Sequence, residues 1–105
     1  MDDPQKIAVI GGGVAGIGAA YLLQRKYTVT LFEKNDYLGG HTHTVLLPHG
    51  PDAGTPVDTG FIVMNETNYP ELSWFFSSLG VKTRASDMSL SVQVPARKVL
   101  YSSDV

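Results

Sequence analysis

Residues 6–33 constrain the fold more than any other part of the chain. Their pattern is typical of a strand, a glycine-rich turn, a helix, a second strand and an acidic residue, in that order. Residues 7–10 are a β-branched run of the kind found in a buried parallel strand. Residues 14–24 are apolar on nearly all sides and suffice for about three helical turns. Residues 29–32 are a second apolar run, so we predict a β-α-β unit with two parallel strands.

The turn between the first strand and the helix carries glycines in G-x-G-x-x-G spacing, at Gly11, Gly13 and Gly16. Gly11 allows a tight turn, Gly13 lets a pyrophosphate approach the backbone, and Gly16 lets the helix pack closely on the strands. The start of the helix, at Val14 and Ala15, offers free N–H groups and the positive end of the helix dipole to phosphates. The turn therefore predicts a dinucleotide site.

An acid at the end of the second strand supports this interpretation. Glu33 lies 22 residues after Gly11, where its carboxylate can accept hydrogen bonds from the two hydroxyls of an adenosine ribose. A glycine turn that only packs a helix on a sheet would not need this acid. Lys34 could suggest a contact to a 2′-phosphate, but Glu33 would repel that phosphate, so we do not expect NADP here.

Composition limits the function. The chain has 105 residues, 43% hydrophobic and 17% charged, as expected for one small globular domain. A net charge of −2 gives no reason to expect nucleic acid or an anionic membrane as a partner. The sequence has no cysteine, which excludes a disulfide, a thiolate metal site and a thiol nucleophile within it. We recognise no targeting signal and expect a cytoplasmic protein.

A membrane interpretation of the same region has to be weighed. Residues 7–23 are 17 consecutive residues without a charge, which could form a signal-peptide core or a marginal membrane span. Five of them are glycines, three in a row, which a spanning helix would tolerate poorly. A following strand that ends in an acid is also unexpected after a signal peptide. We therefore predict no membrane span.

A second glycine pair follows the acid, and Gly39 and Gly40 again permit close approach of the backbone to a ligand. Thr42 adds a hydroxyl nearby. Further along, Asp58 belongs to a short Asp-Thr-Gly-Phe motif. Between and after these motifs we predict a short strand at residues 44–47, a loop at 48–56 and a strand at 61–64.

The last third of the sequence predicts a helix and a hairpin. We expect a helix at residues 68–79, with Asn68 as N-cap, Glu71 completing a capping box, Pro70 in the first turn and Gly80 as the stop. Its apolar face is formed by Leu72, Phe75, Phe76 and Leu79. We then expect a short strand at residues 81–83, a half-buried strand at 88–94, a turn at 95–98 and a partner strand at 99–101.

These motifs together make the chain resemble the N-terminal FAD-binding segment of the flavin-containing amine oxidase and phytoene desaturase superfamily. The motifs are the glycine fingerprint with Glu33, the Gly39-Gly40 pair, and Asp58-Thr59-Gly60-Phe61. Residues 57–65, 69–72 and 86–89 look like a bacterial subgroup described as predicted NAD/FAD-binding or amine-oxidase-like proteins. The resemblance implies an α/β fold: a Rossmann-like β-α-β unit with an additional helix and a C-terminal β-hairpin, as a fragment of a larger flavoprotein.

The resemblance also implies a cofactor and a role for each motif. The cofactor would be FAD, whose pyrophosphate the glycine turn would contact and whose adenosine ribose Glu33 would hold. Gly40 and His41 would lie along the pyrophosphate, and the motif of Asp58, Thr59, Gly60 and Phe61 would approach the flavin ring side. In many relatives an Arg follows the glycine pair, and His41 replaces its fixed charge and bidentate donor.

The activity implied is that of an FAD-dependent oxidoreductase that takes a hydride from a C–N or C–C bond of a small-molecule substrate. A complete dinucleotide-binding fold uses about five or six parallel strands. We therefore expect residues 1–105 to be the truncated N-terminal part of an FAD- or NAD(P)-binding domain. The substrate domain would be absent, the remainder of the parent chain would be a partner, and the fragment alone would be inactive.

Two alternatives stay open at this point. An NAD-binding dehydrogenase module would share the fingerprint, although the Gly39-Gly40 pair argues against it. A non-enzymatic protein of the same fold, similar to Rab GDP-dissociation inhibitors, would not need Glu33. His41 and His43, with His49 nearby, have the spacing of metal ligands, but further ligands are lacking and we predict no metal. Asp58 would more readily hold a turn than act in catalysis, and no catalytic residue can be assigned.

Overall fold

A computed structural model of the protein describes residues 3–103. The chain divides into two units, of which the first ends at Met64 and the second begins at Asn65. The first unit contains β1 (Lys6–Ile10), α1 (Val14–Leu23), β2 (Thr28–Phe32), β3 (Thr44–Leu46) and β4 (Pro56–Asp58). The second contains α2 (Pro70–Leu79), β5 (Leu90–Val94), a 3₁₀ turn (Pro95–Arg97) and β6 (Val99–Ser103).

The first unit is built on the predicted β-α-β arrangement, which is confirmed. β1 and β2 are parallel, with Ile7 opposite Val29 and Val9 opposite Leu31. A further hydrogen bond, from the Gly11 amide to the Phe32 carbonyl at 2.7 Å, prolongs the pairing into the turn. The sheet therefore delivers the glycine turn and the end of β2 to the same edge.

One face of this strand pair is covered by α1. Ile7, Val9, Val29 and Leu31 alternate with exposed residues and are half-buried, whereas Ile10 on the other face is 79% exposed. The helix has no polar stripe, as expected for an element that lies between apolar surfaces. The unit thus has one covered face and one uncovered face, on which Ile10 and Phe32 are exposed beside polar residues.

The strand that pairs with β3 was not predicted. β3 pairs antiparallel with β4, so that Thr44 lies opposite Asp58 and Leu46 opposite Pro56. The expected strand at residues 61–64 does not form. The loop between the strands determines this register, because the Leu47 amide bonds to the Thr55 carbonyl at 3.0 Å and sets Pro56 against Leu46. Proline is tolerated there because β4 is an edge strand.

The second helix begins one residue later than predicted. Its N-cap is Tyr69, without a side-chain cap, so the capping box of Asn68 and Glu71 is wrong. Pro70 explains the shift, because a proline disfavours helical backbone in the residue before it and itself fits the first helical position. The Asn65 side chain instead accepts the Asn68 amide at 2.7 Å and shapes the approach to the helix.

The end of α2 follows the prediction, but the strand after it does not. Gly80 has a φ of 70° and stops the helix. The Val81 amide turns back to the Phe76 carbonyl at 2.9 Å, which is the bond of a Schellman ending. Because Val81 completes the helix end, the short strand expected at residues 81–83 is absent. Phe75, on the predicted apolar face, is the buried side chain of this helix at 8% exposure.

The terminal hairpin is confirmed, with a first strand shorter than the predicted 88–94 and a second strand longer than the predicted 99–101. β5 and β6 are antiparallel, and Val92 lies opposite Tyr101. A left-handed Lys98 closes the 3₁₀ turn between them with a φ of 52°. The prediction that β5 is half-buried is wrong, since each of its residues is exposed. The alternating apolar residues lie on one face of the strand, as the sequence indicates, but no described element of this unit covers that face.

Between residues 3 and 103, neither helix has the length or the hydropathy of a segment that crosses a bilayer.

Candidate functional site

The glycine turn has the geometry that its spacing predicts. Gly11 has a φ of 100°, a region that other residues rarely adopt. A Cβ on Gly16 would collide with the carbonyl oxygen of Gly11, so this position can hold only glycine while the helix stays where it is. Gly11 and Gly16 therefore fix a tight turn and a close helix-to-strand contact.

The start of α1 presents backbone donors. Gly13 is the N-cap and has no side-chain cap, and the first helical bond runs from the Ile17 amide to the Gly13 carbonyl at 2.9 Å. The amides of the first turn, including those of Val14 and Ala15, therefore have no helical acceptor. These N–H groups and the helix dipole favour an anion such as a phosphate.

The Glu33 carboxylate lies against this turn. One oxygen accepts the Gly12 amide at 2.6 Å and the other accepts the Asn35 amide at 2.9 Å. These bonds, from Asn35 first, then Gly12 and to a lesser degree Lys34, lower the pKa of Glu33 below its ordinary value. A carboxylate offers about four acceptor positions, so capacity remains for a hydroxyl donor.

The Gly39-Gly40 pair closes over the same turn. The Gly39 amide donates to the Gly12 carbonyl at 2.8 Å. A Cβ built on Gly40 would lie 3.0 Å from the Gly13 Cα, and Gly40 has a φ of 61°. The Thr42 hydroxyl donates to the Gly39 carbonyl at 2.9 Å and holds the loop. Two glycine segments, the turn and the Gly39-Gly40 pair, therefore meet at the start of α1. Their backbone is open to the close approach that a pyrophosphate requires.

The third motif lies beside the loop that follows the glycine pair. The Phe61 amide donates to the His41 carbonyl at 3.2 Å, and a Cβ on Gly60 would collide with that carbonyl oxygen. Asp58 accepts the Thr44 hydroxyl at 2.7 Å across the hairpin. Asp58 thus makes a cross-strand contact to a side chain, and Gly60 permits close packing of the two segments.

Most of the predicted site residues come together in the first unit. The turn, Glu33 and the glycine pair form one cluster, and the residues from Asp58 to Phe61 join it through His41 and His43. Lys34 takes part only through its backbone beside Glu33. In the described part of the chain, His, Asp and Glu form no group of three that could hold a metal.

Sequence reasoning missed Gly12, the buried residue at the centre of the cluster. Its amide bonds to Glu33, its carbonyl accepts from Gly39, and a Cβ there would lie 2.5 Å from the Leu38 side chain. The run of three consecutive glycines was the available signal. Leu38 carries no comparable signal, because an apolar residue in a loop is common.

The fold and this cluster define a dinucleotide-binding protein of the Rossmann type. Residues 9–79 match the family described as NAD(P)-binding Rossmann-like domain, which is more than half of the chain. The chain therefore belongs to this family, and a nucleotide cofactor follows from that membership.

Several curated relatives share this segment. The chain is 50% identical over 44 residues to a 1-hydroxycarotenoid 3,4-desaturase of a Flavobacterium species, covering 41% of this chain and 9% of the relative. It is 43% identical over 58 residues to polyamine oxidase 5 of Oryza sativa, covering 54% of this chain and 11% of the relative. It is 33% identical over 106 aligned positions to a coproporphyrinogen III oxidase of Mycobacterium tuberculosis, covering 94% and 20%.

These relatives confirm the resemblance to the N-terminal segment of the amine oxidase and desaturase superfamily. Another relative, 46% identical over 55 residues, is the FAD-dependent oxidoreductase pigF of Monascus ruber, with 51% of this chain and 11% of that protein covered. The chain spans between a tenth and a fifth of the length of these relatives.

Proposed function

We propose that this chain is the FAD-binding portion of a flavin-dependent oxidoreductase of the amine-oxidase type. The observation that carries the proposal is that the glycine turn, Glu33 and the Gly39-Gly40 pair meet at Gly12, whose amide donates to Glu33 and whose carbonyl accepts from Gly39. The name of one relative, an FAD-dependent oxidoreductase, supports FAD over other nucleotides.

In this proposal the residues of the chain bind and orient the cofactor. The α1 amides at Val14 and Ala15 would hold the pyrophosphate, and Gly13 and Gly40 would let it approach the backbone. Glu33 would accept the adenosine ribose hydroxyls. The flavin supplies the hydride chemistry on a C–N or C–C bond, while the chain supplies binding and orientation. His41, in place of an arginine, would leave the phosphate to backbone donors.

We further propose that residues 1–105 are the N-terminal part of a longer FAD-binding domain, with the substrate domain elsewhere in the parent polypeptide. The lengths of the relatives support this. The isolated chain would bind cofactor without turnover. A cytoplasmic location stays a prediction.

A second candidate is an NAD-binding dehydrogenase module, which the NAD(P)-binding description of the matched family favours. Glu33 would serve the adenosine ribose of NAD as well as that of FAD. The two candidates differ in the second half of the dinucleotide, and binding alone can separate them.

The test is a titration of the chain with FAD and, separately, with NAD, followed by amide shifts in NMR spectra. We expect FAD to shift the amides of Gly11 to Gly16, Glu33, Gly39 and Gly40. Shifts with NAD alone would support the dehydrogenase module. If neither nucleotide moves these amides while the spectrum shows a folded chain, the proposed function is wrong.

A further inference from the structure

His43 and Thr59 form a closed hydrogen-bonded pair just beyond the β3–β4 ladder. The Thr59 amide donates to the His43 carbonyl at 2.7 Å, and the Thr59 hydroxyl donates to the same carbonyl at 3.0 Å. The His43 Nδ1 atom lies 2.6 Å from that hydroxyl oxygen. The pair is thus joined by three contacts, although both residues are exposed.

One protonation state of the imidazole makes all three contacts hydrogen bonds. The Thr59 hydroxyl has a single proton and can donate it to the His43 carbonyl at 3.0 Å. The contact to Nδ1 is then a hydrogen bond only if Nδ1 carries the proton and donates it to the hydroxyl oxygen. A neutral His43 in this state has a lone pair on Nε2, which makes that atom an acceptor.

This histidine lies next to the candidate dinucleotide site. It lines a shallow concavity with Tyr37, Leu38, Thr42 and Thr44. Leu38 also borders the glycine turn, since a Cβ on Gly12 would lie 2.5 Å from its side chain. The concavity and the turn therefore share a wall.

We propose that Thr59 holds His43 as the Nδ1–H tautomer, and that Nε2 accepts a hydrogen bond from a sugar hydroxyl of the bound dinucleotide. The inference rests on the proposed function, because it concerns the same ligand. A neutral Nε2 and an ionised phosphate are both acceptors and cannot bond to each other. The sugar hydroxyls on either side of the pyrophosphate are the donors that such a ligand brings closest. His43 is then a positioning residue for the cofactor.

The tautomer is tested without ligand by long-range ¹H–¹⁵N spectra of the imidazoles at about pH 8, above the ordinary pKa of a free imidazole. We expect His43 to be protonated on Nδ1. His49, an exposed histidine in the loop between β3 and β4, serves as the internal reference. A proton on Nε2 of His43, or averaging as in an unrestrained ring, would overturn the proposal.

Matched variants separate the two nitrogens. Thr59→Val removes the hydroxyl and should release the tautomer, whereas Thr59→Ser should retain it. In His43→Asn, the side-chain amide can still donate a hydrogen bond to Thr59, but no atom lies at the position of Nε2. In His43→Gln, a polar group lies at that position. We expect FAD to bind about two- to tenfold more weakly to His43→Asn, with partial recovery in His43→Gln. Equal affinity for FAD in the wild type, His43→Asn and His43→Gln would contradict the contact between Nε2 and the ligand.

The ligands themselves identify the hydroxyl. FAD, ADP and FMN are each added while the Nε2 nitrogen signal of His43 and the amides of the glycine turn are followed. A shift of Nε2 with FAD and FMN assigns the ribityl hydroxyls, and a shift with FAD and ADP assigns the adenosine ribose. If the turn amides respond to FAD but Nε2 does not, this inference fails and the proposed function stands. If neither responds, the proposed function fails and the ligand contact with it.

Discussion

At the scale of single residues, Glu33 is the side chain on which most of the site depends. It is the only carboxylate bonded to the glycine turn among the described residues, and it is placed to bind the ribose as well. A single group therefore links the local structure of the turn to the affinity for the ligand.

We predict that Glu33→Gln weakens nucleotide binding by about ten- to a hundredfold, since hydrogen bonds to a charged group are stronger than those to a neutral amide. The measurement is a calorimetric titration with FAD, or with NAD if that is the ligand. Asp36→Asn is the matched control, because it removes a carboxylate three residues away that does not bond to the turn. Equal losses in both variants would point to overall charge instead of this contact.

The same carboxylate makes stability depend on pH. The pKa of Glu33 is lower in the folded chain than its ordinary value of 4.5, because backbone amides of Asn35 and Gly12 bond to the ionised form. Its contribution to stability is therefore complete above the unfolded-state pKa and is lost as the pH falls from there through the lower, folded-state pKa.

Urea unfolding at a series of pH values checks this expectation. The wild-type chain should lose stability as the pH falls below about 4.5, and Glu33→Gln should lose less over the same interval. Asp36→Asn should keep the wild-type profile. Parallel profiles for the wild type and Glu33→Gln would show that the two amide bonds do not favour the ionised form.

At the scale of elements, the contact between α1 and the glycine turn permits a sharp test within one helix. A Cβ at Gly16 would meet the backbone of Gly11, which cannot move aside, whereas a Cβ at Gly18 would meet nothing within 4 Å. We predict that Gly16→Ala destabilises the chain by about 1–3 kcal/mol. Gly18→Ala should stabilise it by up to about 1 kcal/mol through helix propensity. Urea midpoints of the two variants measure the difference, and similar values would contradict the close contact.

The elements show what could be predicted from the sequence. The β-α-β unit was predictable because apolar periodicity and the spacing from Gly11 to Glu33 are local signals. The partner of β3 was not, because the bond between Leu47 and Thr55 selects residues 56–58 over the more apolar residues 61–64. The start of α2 was missed because Pro70 acts on the residue before it, which outweighs a favourable capping pattern at Asn68.

The site was predictable to a similar extent. Its residue types and spacing identified the turn, Glu33 and the glycine pair as one cluster. The central position of Gly12 was not predictable, because both of its hydrogen bonds come from loops distant in sequence, at Glu33 and Gly39. The cross-strand contact of Asp58 with Thr44 depends on the same unpredicted register.

At the scale of the whole molecule, uncovered apolar surface is the main feature. The accessible surface is 9210 Å². Two separate globules of about 64 and 41 residues would together expose about 6,900 Å² by the usual scaling. Exposed side chains include Phe32 at 53% and Leu100 at 72%. Exposed apolar surface of this extent is typical of interaction sites and of aggregation-prone chains.

We predict that the isolated chain binds a hydrophobic dye and associates with itself as its concentration rises. Ile10→Thr, on the uncovered face at the end of β1, should reduce both effects while changing stability by no more than about 0.5 kcal/mol, because the position is exposed. Light scattering coupled to gel filtration measures the association. A chain that stays monomeric at every concentration and binds no dye would contradict the prediction that the exposed apolar surface drives association.

The three two-stranded sheets have a consequence for deuterium uptake. Each strand described between residues 6 and 103 is bonded on one side only, so about half of its amides point to an open edge. In β1, the amides directed at β2 should retain protons while their neighbours exchange quickly. If a longer polypeptide adds a strand beside β1, the fast half becomes slow. The mass spectrum of this one peptide would then report whether the edge is covered.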